Sequence, residues 1–337
     1  MCTNINIKST EGNTYWARTM DFPINPFEYG CVVSTVPKNH QIEADSGNWT
    51  SKYAYMGVNL SGSYCFFDGI NEAGLVGGLL YLEECSWSTR EDLQKRNLKP
   101  LLGEEVLAWV LSQYSTVQEV SEGMRHFGLV NETLATLAEG NPDMNRPTTL
   151  HYTFTDVTGH SIVLEPTDNG AFRIFENTIG VMTNSPTYDW HMTNLRNYIE
   201  LSDHNRGTKK LEGDMAIPQI ESGSGLLGLP GDFTSPSRFI RAVYLSRFMN
   251  TPTDSEAIDA LYNLFNTAQI ASGWEEISDT ASDFTSYWSG YDTKSRTLYI
   301  KPYDTSTFSR VCLADADATI VQSFEISHTS QFADIAK

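Results

Sequence analysis

Extended and helical segments come in blocks along this 337-residue chain, and the order of the blocks restricts the fold more than any single motif does. Strand-like stretches fill the first eighty residues: 3–8, 13–20, 31–37 (ended by Pro37), 53–58 and 64–67. Residues 68–74 (Asp-Gly-Ile-Asn-Glu-Ala-Gly) carry turn chemistry. Residues 75–82 read as a buried strand whose paired glycines admit a close backbone approach. Helical patterning then takes over. In 103–114, Val106, Leu107, Val110 and Leu111 share one face. Thr116, with Glu119 three residues on, caps a second helix whose apolar stripe is Val117, Val120, Met124 and Phe127. Extended patterning returns at 151–155, 161–165, 172–175 and 179–182, with a turn at 156–159. Helices follow at 189–201, 237–250 and 255–265, and a strand-like tail closes the chain at 285–289, 297–300 and 324–326. The order β, helix pair, β, helices, β lacks the regular βα alternation of a doubly wound sheet. It predicts two antiparallel sheets packed face to face with helices outside. No internal repeat is visible, and the Gly/Ser-rich loop 205–229 is too short to divide the chain. Residues 1–337 therefore read as a single domain.

Composition excludes several functions. With 42 acidic against 23 basic residues the net charge is −19, and no Lys/Arg cluster is available to neutralise phosphates, so nucleic acid is not an expected partner. The same field disfavours small anions at long range, so an anionic substrate needs arginines inside the pocket. No apolar run approaches the ~18 residues of a membrane span. Five cysteines (Cys2, Cys31, Cys65, Cys85, Cys312) without CxxC spacing fit a reduced cytoplasm better than a disulfide framework.

Familiar motifs fail on context. Residues 223–228 match GxGxxG, but Pro230 removes the helix that a dinucleotide site needs. Residues 159–163 (Gly-His-Ser-Ile-Val) lack the closing glycine of a nucleophile elbow. Seven histidines show neither HxxxH nor HExxH spacing, so no metal and no cofactor is expected.

Cys2, directly behind Met1, carries more. If Met1 is removed, one residue holds both a thiol and a free α-amine. That amine titrates near ~7.7–8.0 and can take the thiol proton near neutral pH. Other candidates have a bland reading beside the functional one. Arg18 and Asp21 stand three apart on a strand, hence on opposite faces. They reach one site only if the strand ends or bends between them, and otherwise form a strand-end ion pair. Tyr81 ends a buried strand and is either a site residue or core. Asn184, two residues before Pro186, suits a turn. Arg238 and Arg241 open a helix where the dipole disfavours cations, so each reads equally as a functional or a structural cation.

In this order, Met1-Cys2-Thr3, residues 17–22 (Ala-Arg-Thr-Met-Asp-Phe), 68–75, 151–156, 179–186, 190–196, 228–233 and 237–241 make the chain resemble the choloylglycine hydrolase family of bile salt hydrolases and penicillin V acylases. The resemblance implies an α+β fold, the four-layer αββα sandwich of N-terminal nucleophile (Ntn) hydrolases, and hydrolysis of a non-peptide amide. It implies Cys2 as nucleophile after loss of Met1, and Arg18 and Asp21 around it. Asn184 and Tyr81 would serve the oxyanion, and Arg238 would be the active-site arginine. It also implies a homotetramer. Bile salt hydrolases resemble one another in placing Asn where this chain has Tyr81, whereas penicillin V acylases place Tyr. Cleavage of the phenoxyacetyl side chain of penicillin V is therefore the first expectation. The alternatives are bile salt hydrolysis, or a non-catalytic binding protein if Met1 is retained.

Overall fold

A computed structural model describes residues 1–135, 147–278 and 281–335. Two large sheets face each other. The first runs Val181–Met182, Cys2–Lys8, Thr14–Phe22, Ala281–Asp292, Thr297–Pro302, Ser309–Cys312, all antiparallel, with Glu275–Ser278 added beside Ala281–Asp292. The second has ten strands, from Gln322–Phe324 and Cys31–Val36 through Phe66–Asn71, Val76–Tyr81 and Leu150–Thr155 to Phe127–Leu129 and Lys99–Leu101. Helices Val106–Gln113 and Val117–Met124 cover the outer face of the second sheet, and Ser235–Phe248 and Ala257–Phe265 that of the first. The result is the four-layer αββα sandwich of Ntn hydrolases.

Sequence explains the closeness of the sheets. Trp16 is fully buried on the first sheet and lies against Gly78 on the second; a Cβ at Gly78 would sit 2.8 Å from Trp16 Cη2. Fully buried Tyr287 and Tyr291, four apart and so on one face of Ala281–Asp292, reach across to Asp68 of the second sheet. Thr116 caps its helix as the sequence suggests, accepting from Glu119 N at 3.2 Å, while Glu119 Oε2 accepts from Ser115 N at 2.6 Å.

Several segments differ from expectation. Residues 68–71 are not turn but the end of the strand Phe66–Asn71. The reversal falls at 72–74, where Gly74 takes φ +85°. Asp68 is tolerated inside the strand because two tyrosine hydroxyls satisfy its carboxylate. The helix expected over 189–201 is a seven-residue α-helix, Tyr188–Asn194, continued by a 3₁₀ turn, Leu195–Tyr198. The short helix Arg90–Lys95, capped by Thr89, has no apolar periodicity long enough to announce it.

Candidate active site

Cys2 begins the first strand, opposite Met20 in register, and Asn4 stands opposite Arg18. Side chains alternate, so Cys2, Arg18 and Met20 turn into the sandwich, and Thr3, Thr19 and Asp21 turn outward. Arg18 and Asp21 thus lie on opposite faces, and Thr14–Phe22 continues through both without a break. Both still serve one residue because Cys2 is where the strand starts. Arg18 meets its sulfur: Nη2 donates to Cys2 Sγ at 2.8 Å. Asp21 meets the chain end: its N–H donates to Met1 O at 2.9 Å, and its carbonyl accepts from the Met1 ammonium.

The Asp21 carboxylate accepts from Thr285 Oγ1 at 2.6 Å and Thr19 Oγ1 at 3.0 Å. It does not hold the Cys2 nitrogen. With Met1 in place that nitrogen is a peptide N–H with one proton, which it donates to Asn184 Oδ1 at 2.7 Å. Burial pushes the Asp21 carboxyl up, against the opposing pull of the amino terminus and Arg238.

Arg238 enters from the first turn of Ser235–Phe248 and is fully buried. Its Nη1 donates to Cys2 O at 2.6 Å and to Thr3 Oγ1 at 2.7 Å, and its Nη2 to Asn184 Oδ1 at 2.8 Å. Burial lowers its affinity for the proton, an effect opposed by Asp21 and Cys2. For Arg18 the balance is reversed. Burial disfavours the cation, but Cys2, Tyr287, Asp68 and Asp21 together hold it above the usual arginine range. Arg241, one turn further, caps loop carbonyls of Pro230, Asp232 and Thr267 and does not enter the site.

Two donors on Oδ1 fix the amide orientation of Asn184. Its Nδ2 donates to Tyr81 O at 2.9 Å, which leaves one Nδ2 proton for a ligand. The backbone of Asn184 is held just as firmly. Ser235 Oγ accepts from its N–H at 2.9 Å, and His191 Nε2 donates to its carbonyl at 2.8 Å. His191 stacks on Phe239 with ring centroids 4.6 Å apart, and its Nδ1 is buried without a partner. Burial holds its proton affinity down, to about 4. His151 donates to Thr183 O at 3.0 Å, and Glu165 accepts the Tyr188 N–H at 2.8 Å, which pins both ends of the Asn184 loop.

Tyr81 ends its strand, the residue 43% exposed and its hydroxyl 3.2 Å from Glu83 Oε2. It is not core. Trp87, by contrast, donates Nε1 to Thr148 O at 3.0 Å and packs in the cluster under the outer helices of the second sheet.

The structure therefore gathers Cys2, Arg18, Asp21, Asn184 and Arg238 with the Tyr81 peptide. It adds Thr3, Thr19, Thr285, Ser235, His191 and Asp68, which sequence reading missed. Strand alternation puts Thr19 on the face of Asp21 and could have signalled it, whereas nothing in residues 281–292 marks Thr285. Among the described residues no group of three or more His, Cys, Asp or Glu is placed to hold a metal ion.

Residues 2–324 match the linear amide C–N hydrolases, choloylglycine hydrolase family. The chain belongs to the choloylglycine hydrolase family. It is 32% identical over 318 residues to the bile salt hydrolase/transferase of Clostridium perfringens, covering 92% of both chains. It is 31% identical to the conjugated bile acid hydrolase of Lactobacillus acidophilus, covering 89% of this chain and 92% of that one. A penicillin V acylase of Pectobacterium atrosepticum is 30% identical over 211 residues, 60% of this chain and 47% of that one. Among solved structures, a mutant of the conjugated bile acid hydrolase from Clostridium perfringens superposes with a TM-score of 0.89 at 28% identity, covering 100% of both chains. The penicillin V acylase from Agrobacterium tumefaciens shares the fold, with a TM-score of 0.73 at 22% identity over 96% of this chain and 90% of that one. As a choloylglycine family member, this protein is placed among amidohydrolases that act on small-molecule amides.

Proposed function

We propose that this protein hydrolyses the amide of conjugated bile salts, with Cys2 as nucleophile once Met1 is removed. The observation that carries the catalytic part is the arginine on the sulfur, Arg18 Nη2 to Cys2 Sγ at 2.8 Å, beside a nitrogen already seated on Asn184. Loss of Met1 turns that nitrogen into an amine. The amine takes the thiol proton, and Arg18 stabilises the thiolate. The thiolate attacks the amide carbonyl, and the free Nδ2 proton of Asn184 meets the oxyanion. The C–N bond breaks as the Cys2 amine returns its proton to the leaving nitrogen. Water then cleaves the thioester, releasing the acid and the thiol. Arg238 orients Asn184 and fixes the Cys2 carbonyl, and Thr19, Thr285 and Asp21 hold the outer side of the chain end.

For the substrate, the sequence put penicillin V first on the strength of Tyr81. The bile salt relatives match nearly the whole length of this chain, whereas the penicillin V acylase of similar identity matches little more than half. Bile salts therefore take first place. Penicillin V stays as the second reading because the exposed Tyr81 ring offers a flat aromatic wall suited to a phenoxy group. The ratio of kcat/KM for glycocholate and penicillin V on one preparation decides between them. A ratio favouring glycocholate supports the first reading, and one favouring penicillin V installs the second. No turnover of either, with Cys2 unreactive, returns the chain to the binding-protein alternative.

A homotetramer fits the exposed hairpin Lys209–Lys210/Ala216–Ile217, which carries Leu211, Met215, Ile217 and, just beyond, Ile220 into solvent. Light scattering tests it. Among the described residues no helix is long and apolar enough to cross a membrane, and the thiols suit a cytoplasmic setting.

A further inference from the structure

Arg18 uses all five of its N–H groups, and none of them reaches a carboxylate. Nε donates to Thr19 O at 3.2 Å. Nη1 donates to two carbonyls of the opposite sheet, Phe67 O at 2.9 Å and Leu79 O at 2.7 Å. Nη2 donates to two sulfurs, Cys2 Sγ at 2.8 Å and Met20 Sδ at 3.2 Å. Sulfur is a weak acceptor, and the residue is fully buried. A cation so placed needs a compensating charge, since a lone buried charge costs several kcal/mol. Asp68 supplies it, with Oδ2 at 3.9 Å from Arg18 Nη1 and both side chains shut off from solvent. Asp68 is itself fixed from across the sandwich. Tyr287 donates to Oδ2 at 2.8 Å and Tyr291 to Oδ1.

We propose that Asp68 is a positioning residue for the nucleophile: a buried counter-ion, clamped by Tyr287 and Tyr291, that holds Arg18 aimed at Cys2 Sγ. The proposal rests on Cys2 being the nucleophile. Its consequence has two sides. Asp68 keeps the guanidinium in place, and its negative charge opposes formation of a second anion at Cys2. The titratable groups that bear on this buried pair come from a few elements. Arg18 comes from Thr14–Phe22, Asp68 from Phe66–Asn71, Tyr287 and Tyr291 from Ala281–Asp292, and Cys31 from Cys31–Val36. Arg238 and Asp21 stand on the other face of the strand. Burial and Asp68 push the Cys31 thiol above its usual range, and burial with Asp68 does the same to both tyrosines. These three stay neutral, so Arg18 and Asp68 form the charged pair of the inner face, while Arg238 acts on Cys2 from the other face.

Asp68→Asn removes the charge and keeps the shape. The rate of Cys2 alkylation by iodoacetamide, followed against pH by peptide mass spectrometry, should then show its midpoint moved to lower pH by roughly one unit. Turnover should fall at the same time, because Arg18 loses the counter-ion that keeps it aimed at Cys2 Sγ. Tyr291→Phe weakens the hold on the carboxylate and should move the midpoint the same way by less. It serves as the test if Asp68→Asn does not fold. Melting temperatures of both variants separate the effect from unfolding, since a merely structural role lowers stability and activity without moving the midpoint. Unmoved midpoints in folded variants overturn the proposal. The wild-type protein supplies the separate check: if alkylated Cys2 leaves amidase activity intact, the nucleophile reading fails, whatever Asp68 does.

Discussion

Arg238 Nη2 donates to Asn184 Oδ1 at 2.8 Å, so the buried guanidinium decides which way the Asn184 amide faces. The same group holds Cys2 O and Thr3 Oγ1. A lysine ammonium cannot meet these three acceptors from one rigid plane. Arg238→Lys should lower kcat/KM by about 10²-fold through misplacement of Cys2 and Asn184. Arg247, in the last turn of the same helix, donates to Thr178 O and Ile179 O at the surface. Arg247→Ala should stay within about a factor of two. Equal losses in steady-state assays would make Arg238 a structural residue only.

Asn184→Ala removes the proton offered to the oxyanion. It should cost about 10²–10³ in kcat with KM little changed. A rise in KM with kcat intact would instead make Asn184 a ground-state binding residue.

Arg238 and Asn184 were legible in the sequence for different reasons. The helix-start argument singled out Arg238 and Arg241 alike, and only their partners separate the two: Arg238 reaches Cys2 and Asn184, whereas Arg241 reaches loop carbonyls. Asn184 looked like an ordinary turn residue, and only the family resemblance raised it. The sandwich itself followed from the order of extended and helical blocks. Asp68 was misread as turn because Asp-Gly usually is. Its burial depends on Tyr287 and Tyr291, more than two hundred residues away, and no local pattern carries that. Thr285 and His191 were hidden for a similar reason: their roles exist only between paired strands far apart in sequence and between a helix and a loop. The alternation argument that placed Arg18 and Asp21 on opposite faces was right. The strand break invoked to reconcile them was unnecessary, because the chain start sits between the two faces.

His191 gives a pH signature. Its folded-state proton affinity is depressed from 6.5 to about 4, chiefly by burial. Below pH 6.5 the unfolded chain takes up a proton that the native state refuses, so the contribution of His191 to stability falls from pH 6.5 down to about 4. The loss reaches ~3 kcal/mol at the bottom of that window. Urea unfolding at pH 7 and 4.5 should show a smaller drop for His191→Gln than for the wild type. An identical drop would mean that His191 titrates normally in the folded protein.

Glu104 runs the other way. Burial, with Glu105 and Asp45 nearby adding to it, raises its carboxyl to about 7. The native state keeps a proton that the unfolded state loses above pH 4.5, so stability declines as pH rises from 4.5 through 7. Glu104→Gln should match the wild type near pH 4.5 and be more stable at pH 8.5, by up to ~3 kcal/mol. No gain at pH 8.5 would place an unrecognised cation beside Glu104.

The central claim is that the amine of Cys2 is the base. Met1 converts that amine into a peptide N–H, whose lone pair is delocalised into the carbonyl and cannot take the thiol proton. Intact-mass spectrometry and amide hydrolysis rates on the same preparations test this directly, across a series in which the fraction of chains retaining Met1 is varied. The rate should rise in proportion to the fraction lacking Met1 and vanish where every chain keeps it. Full activity in protein that retains Met1 would contradict the account and require another base at Cys2.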